Sequence, residues 1–225
     1  MDLVLESSSL ILLPEGEDAH PMDLKLKQLS ESFQWRWENG SFACESLGET
    51  DSVFLVADGN LDPVDQIEAM KDFMESNDLD LGRILTVVHC ALAEVHDELH
   101  AWYQGCIHFS DVVLLNRREG VSQKWIREFQ NGFRQEYFPC FFELVKKGRV
   151  DNPVHVLDPT PRRLSQHFDE KEDSLLDEEE DHDDSGIKSD FPDGDPFLLR
   201  YSNGKRCKPL PDPASILASK QSRSA

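Results

Sequence analysis

Ser110-Asp111-Val112-Val113-Leu114-Leu115-Asn116-Arg117-Arg118-Glu119 decides the fold. An unbroken apolar run, β-branched at its start, ends abruptly in a polar cluster. That is the pattern of a strand buried on both faces inside a parallel α/β sheet. In such sheets ligands lie beyond the carboxyl ends of the strands. The polar cluster from Asn116 to Glu119 therefore becomes the first candidate site.

Working outward from this run, the chain alternates between strand and helix patterns. Val53-Phe54-Leu55-Val56-Ala57 reads as a strand buried on both faces, and Asp62-Pro63 then supplies a helix N-cap and a first-turn proline. Ile67, Met70, Phe73 and Met74 recur at helical spacing. Ile84 to Val88 is the next strand, and Leu92, Val95, Leu99 and Trp102 mark one amphipathic helix. Ser122 can cap a helix with Trp125, Ile126, Phe129 and Phe133 on its inner face. A further strand is expected at Phe141–Val145 or around Val154-His155-Val156. Upstream, Leu10 to Leu13 reads as a strand, with Leu24, Leu26, Leu29 and Phe33 near a helix. Trp35 and Trp37, two apart, fit a half-buried strand. The alternation predicts right-handed crossovers and a mostly parallel sheet flanked by helices.

Charge sets the outer limits. The 225 residues carry a net charge of −21, and 39% are hydrophobic, enough for one domain plus a tail. Between Asp169 and Asp184 stand eleven acidic residues against Lys171 alone. Such a run repels itself and buries too little apolar surface to offset its ordering entropy, so disorder is expected. The organisation read from the sequence is thus an α/β domain over 1–160, an acidic disordered linker over 161–196, and an extended proline-containing basic tail over 197–225. An acidic chain lacks the cations that nucleic-acid backbones and anionic membranes require, so neither is an expected partner. Asp2 and Glu6 stand where a secretory leader would be basic, and the five cysteines show no paired spacing. A cytoplasmic protein with free thiols is the expectation.

Several short elements, in order, resemble the CobW-like family of P-loop GTPases, which includes the UreG and HypB metallochaperones. Leu10-Ile11-Leu12-Leu13-Pro14-Glu15-Gly16-Glu17 is similar to that family's strand ending in N-E-x-G-E. Asn39-Gly40-Ser41-Phe42-Ala43-Cys44 takes the place of its N-G-C-x-C-C metal motif. Val56-Ala57-Asp58-Gly59-Asn60-Leu61-Asp62-Pro63 resembles E-[ST]-[ST]-G-x-x-[DE]-P, and Thr86-Val87-Val88-His89 resembles T-V-V-D. The Asn116 cluster resembles the guanine-reading N-K-x-D element, with Arg117 for lysine and Glu119 for aspartate. The likeness spans roughly residues 10–155. It implies a P-loop NTPase-like domain, a guanine nucleotide (GTP or GDP) at Asn116, Arg117 and Glu119, zinc at Cys44, and a protein partner or homo-oligomer.

The departures are as informative. No G-x-x-x-x-G-K-[ST] phosphate loop occurs in the sequence, which begins after the place the resemblance gives it. Val56 and His89 stand where the family has acidic residues, and valine cannot coordinate Mg²⁺. With no metal and phosphate clamp, little is left to stabilise a phosphoryl-transfer transition state. Ser41 and Ala43 replace two of the three motif thiols, leaving Cys44.

The blander readings stand beside these. Asn116 to Gly120 is equally a solvated strand-to-helix turn. His96 and His100, four apart, read as helix-surface histidines rather than a zincin pair, since Asp97 occupies the catalytic glutamate position. Three functions remain open: a degenerate CobW-like protein that binds without hydrolysing, a GTP-binding metallochaperone whose phosphate loop lies outside this chain, and an interaction protein working through its acidic run.

Overall fold

Two apolar runs, Leu10–Leu13 and Val112–Leu115, each organise one half of the molecule. The computed structural model describes residues 8–16, 31–169 and 194–221. The first half comprises β1 (Ser9–Pro14), β2 (Glu31–Glu38), β3 (Ser41–Cys44) and β4 (Ser52–Leu55), hydrogen-bonded in the order β3-β2-β1-β4. Helix α1 (Pro63–Ser76) comes next, with Pro63 in its first turn and Asp62 accepting from the Val64 N–H. The second half comprises β5 (Leu85–His89), β6 (Val112–Asn116), β7 (Phe141–Lys146) and β8 (Arg149–Val150), in the order β5-β6-β7-β8. Helices α2 (Cys90–Val95) and α3 (Leu99–His108) join β5 to β6, and α4 (Gln123–Gln135) joins β6 to β7. Short α5 (Pro153–Leu157) and terminal α6 (Pro213–Gln221) are the remaining helices among the described residues.

The α/β class is as the alternation predicts, but the single mostly parallel sheet is not. There are two four-stranded mixed sheets. Each has two parallel pairings and one antiparallel edge: β2 with β3, and β7 with β8. The hairpins have a local cause. Asn39 and Gly40 lie at φ 53° and 80°, and Lys147 and Gly148 at 52° and 73°. Two successive left-handed residues make the tight turn whose twist suits antiparallel strands.

Three apolar clusters hold these layers. Leu10, Leu12, Trp35, Phe42, Ala69 and Phe73 unite the first sheet with α1. Val88, Val113, Leu115, Tyr103, Ile107 and Phe133 belong to the larger cluster joining the second sheet to α2, α3 and α4. Val64, Phe109 and Phe197 form the third, between α1, the end of α3 and the C-terminal segment. Each fully buried large side chain contributes roughly 1.5–3 kcal/mol of transfer free energy.

Other expectations need correction. Phe54 on β4 is exposed, so that strand is not buried on both faces. Phe33 lies in β2; Leu24, Leu26 and Leu29 fall outside the described residues. The helix expected from Leu92 to Trp102 is two helices: the chain breaks after Val95, which is exposed, and resumes at Leu99. His96 sits in the break and is buried rather than on a helix surface, whereas His100 is exposed on α3, as expected, with its ring near Phe129 and Phe133, centroids 5.9 and 5.5 Å away.

Asp111 lies just before β6, at the opposite end of the strand from Asn116. It sits fully buried at the amino end of β6, accepting from Ile84 N at 2.8 Å and Arg162 N at 2.7 Å, with Arg163 at 3.4 Å. It ties the start of β5 and residues 162–163 to β6. Residues 161–169, expected to open the linker, are therefore packed on the domain, with Ser165 buried. The remainder of the acidic run lies outside the described residues. The C-terminal segment is not simply extended: Phe197 is buried, Arg200 and Arg206 pair with Asp65 and Glu68 of α1, and α6 is helical.

Candidate functional site

The carboxyl end of β6 delivers Asn116 in register with His89 of β5. Beyond Asn116 the chain makes a tight turn. Arg117 takes a left-handed conformation, φ 49°, and Gly120 another at 83°. Arginine is strained there by its Cβ, and the Asn116 side chain offsets the strain locally by accepting from the Arg117 N–H at 2.8 Å. The turn is pinned from several sides. Ala91 N donates to Arg117 O at 3.1 Å, which ties it to the start of α2. Arg118 donates to the Val145 carbonyl through Nε at 3.3 Å and Nη2 at 3.1 Å, which ties it to β7. Ser122 N donates to Glu94 at 3.1 Å, and the Ser122 hydroxyl caps α4 through Trp125 N at 3.1 Å.

This arrangement divides the labour among adjacent residues. Asn116 and Arg118 hold the turn together, whereas the side chains of Arg117 and Glu119 are exposed and bond no described group. A cation and a carboxylate thus project from a rigid mount at the sheet's carboxyl edge. Together they can cover a flat ring with the guanidinium and accept from its N–H groups with the carboxylate. Asn116 can take part only by sharing its oxygen, already engaged with Arg117 N.

His89 borders the same edge. Its Nδ1 accepts from Leu92 N at 3.2 Å, capping α2, and its own N–H donates to the Tyr103 hydroxyl at 3.0 Å. The neighbouring Cys90 is buried, and burial pushes its thiol up to about 11, so it stays a protonated core residue.

Cys44 is placed elsewhere. It ends β3, opposite Trp35, in the other sheet, beside a cleft of about 270 Å³ lined by Phe42, Phe73, Asp72 and Asn77. Burial raises the Cys44 thiol, which disfavours the thiolate that a metal needs. Among the described residues no three His, Cys, Asp or Glu side chains converge to hold a metal ion. At the end of β4, Val56 offers a backbone carbonyl, taken by Trp35 Nε1 at 2.9 Å, and no side-chain ligand.

The sequence pointed to Asn116, Arg117 and Glu119 but not to Arg118 as their clamp. A doubled arginine gives no sign of which one turns inward; only the left-handed Arg117 separates them. No family model, no curated protein and no solved structure matches the chain. Among the described residues no helix is long and apolar enough to cross a membrane.

Proposed function

We propose that the chain is a degenerate CobW-like protein that acts by binding, as an accessory to other proteins, and does not hydrolyse GTP by itself. One observation carries the reading: the Arg117 and Glu119 side chains stand exposed and unbonded on a turn fixed at three points beside parallel strands. Such a mount suits the base of a guanine nucleotide. With the phosphates ungripped, affinity is weak and independent of Mg²⁺. The valine at the end of β4 supports the lack of hydrolysis, because it supplies no side-chain oxygen to a magnesium ion.

A fluorescent guanine-nucleotide titration, with and without Mg²⁺, tests this. Saturation at high ligand concentration, unchanged by Mg²⁺ and lost in Glu119→Ala, is expected. Micromolar binding that requires Mg²⁺, or turnover of GTP by the purified chain, would replace this reading with that of a complete GTPase. A zinc role for Cys44 belongs to the proposal only as one ligand among donors supplied by another chain. Zinc titration of the wild type against Cys44→Ser, with equal affinities expected for the isolated protein, checks that part.

A further inference from the structure

His167 sits where three elements meet. The Leu164 and Ser165 N–H groups both donate to the His108 carbonyl at the end of α3, at 3.2 and 3.1 Å. The Ser165 hydroxyl donates to Asp195 and accepts from the His167 N–H at 3.3 Å. From α1, Lys71 Nζ donates to the His167 carbonyl at 3.2 Å. Residues 164–167 are thereby fastened to α1, to α3 and to the C-terminal segment, around one imidazole.

That imidazole suits its surroundings only when neutral. Its Nε2 is buried and bonds no described group. In an imidazolium both nitrogens donate. Nε2 would then be a buried donor without an acceptor, and a second cation would stand near Lys71. Carboxylates face the ring too: Asp195 from the C-terminal segment, and Glu68 and Asp72 from α1. Two of them are already engaged. Asp195 accepts from His108, Ser165 and the Phe197 N–H, and Glu68 accepts from Arg200 and Arg206. From α3 the facing group is His108, whose ring holds Asp195. Within the stretch itself Arg163 and Asp169 pair with each other, and the Phe168 ring lies beside His167. Burial, and after it Lys71, outweighs the three carboxylates and holds the His167 imidazole below its ordinary value.

We propose that His167 makes this junction an acid-sensitive latch: protonating it frees residues 164–167 from α1 and α3, while both sheets and the link from Asp195 to His108 stay in place. The stretch leads into the acidic run that starts at Asp169, so the latch sets how far from the domain that run begins. Linkage fixes the direction. A histidine held below its ordinary value, about 6.5, favours the closed junction above that pH. Closure weakens as pH falls from there toward the lower closed value. One proton changes the opening equilibrium by at most about tenfold per pH unit. The latch makes no use of Asn116, so it stands or falls separately from any nucleotide.

Residue-resolved hydrogen exchange on the full chain, between about pH 7.5 and 5, tests it. Protection factors of the Leu164, Ser165 and His167 amides should drop below about pH 6.5, by up to about tenfold per unit, while those of Val113 and Phe197 hold. His167→Gln keeps a polar side chain, removes the titrating ring and should flatten the dependence. If that variant leaves the stretch unprotected at every pH, the His167 ring signals of the wild type decide. An NMR titration midpoint below about 6.5 upholds the latch, and one at or above it overturns the latch. Three further results overturn it: protection that does not change with pH in the wild type; the same dependence in His167→Gln, which would assign it to Asp72, Glu68 or Asp195; and loss of Val113 or Phe197 protection in step, which would be general unfolding.

Discussion

His108, at the end of α3, donates through Nε2 to the Asp195 carboxylate at 2.8 Å across 87 positions of sequence. Ser165 donates its hydroxyl to the same oxygen at 2.5 Å, and Phe197 N to the other at 3.0 Å. One carboxylate thereby joins three separate stretches of chain. Burial pushes the Asp195 carboxyl upward, but the bonds from His108 and Ser165 outweigh it and hold the group below its ordinary value. A depressed carboxyl stabilises the fold above its unfolded-state value, about 4, and loses that contribution as pH falls through the lower folded-state value. Asp195→Ala should cost about 1–3 kcal/mol at pH 7, since it strands buried donors. In urea melts the gap between wild type and variant should close as pH drops below about 4; a gap constant down to about pH 2 would remove the carboxylate from the account.

The two arginines that reach α1 should differ sharply. Arg206 and Arg200 both pair with Asp65 and Glu68, but the Arg206 side chain is buried and also donates to Phe197 O at 3.1 Å, whereas Arg200 is exposed. Exposed pairs contribute little and are screened by salt. Arg206→Ala should therefore destabilise by about 1–3 kcal/mol through its buried bonds, and Arg200→Ala by less than about 0.5 kcal/mol. Denaturant midpoints in low and high salt measure both. Equal effects would place the stabilisation in the charge pairs rather than in burial.

Gly105 meets Leu210 so closely that a Cβ would fall 2.5 Å from one of its methyls. Helix α3 thus has a notch into which the C-terminal segment inserts. Gly105→Ala should cost about 1–3 kcal/mol by overpacking. Leu210→Ala loses its own packing, but adding it to Gly105→Ala should be less damaging than the two costs summed, because the clash is gone. A double-mutant cycle reads this directly. Strict additivity would mean that the segment does not sit in the notch.

The features legible in the sequence were local ones. Val112–Leu115 announced a buried strand, Asp62-Pro63 and Ser122 announced helix starts, and all three read correctly because cap, proline and apolar run act within a few residues. The break at His96 was hidden, since Leu92, Val95, Leu99 and Trp102 keep helical spacing straight across it. The division into two sheets was equally hidden, because an apolar strand looks the same whether its edge is paired or free. Nothing near Arg206 or Asp195 in sequence points to Glu68 or His108, so the packed C-terminal segment read as an extended tail. Of the candidate site, the residues were visible but not their division into inward and outward members, which depends on a single left-handed residue at Arg117.

That residue offers the sharpest separation of stability from binding. A left-handed arginine costs about 1–3 kcal/mol, and glycine removes that cost while returning some entropy to the unfolded chain. Arg117→Gly should therefore leave the protein as stable as before or up to about 1 kcal/mol more stable. Arg118→Ala deletes the bonds to Val145 O and should destabilise by about 1–3 kcal/mol. If Arg117 covers a base, the glycine variant loses the fluorescent guanine-nucleotide signal despite its unimpaired fold. The Arg118 variant, held below its melting temperature, loses the signal only as far as the turn loosens. Unchanged nucleotide binding in Arg117→Gly would leave the turn as a connector from strand to helix, and its strained arginine as a cost without a function at this edge.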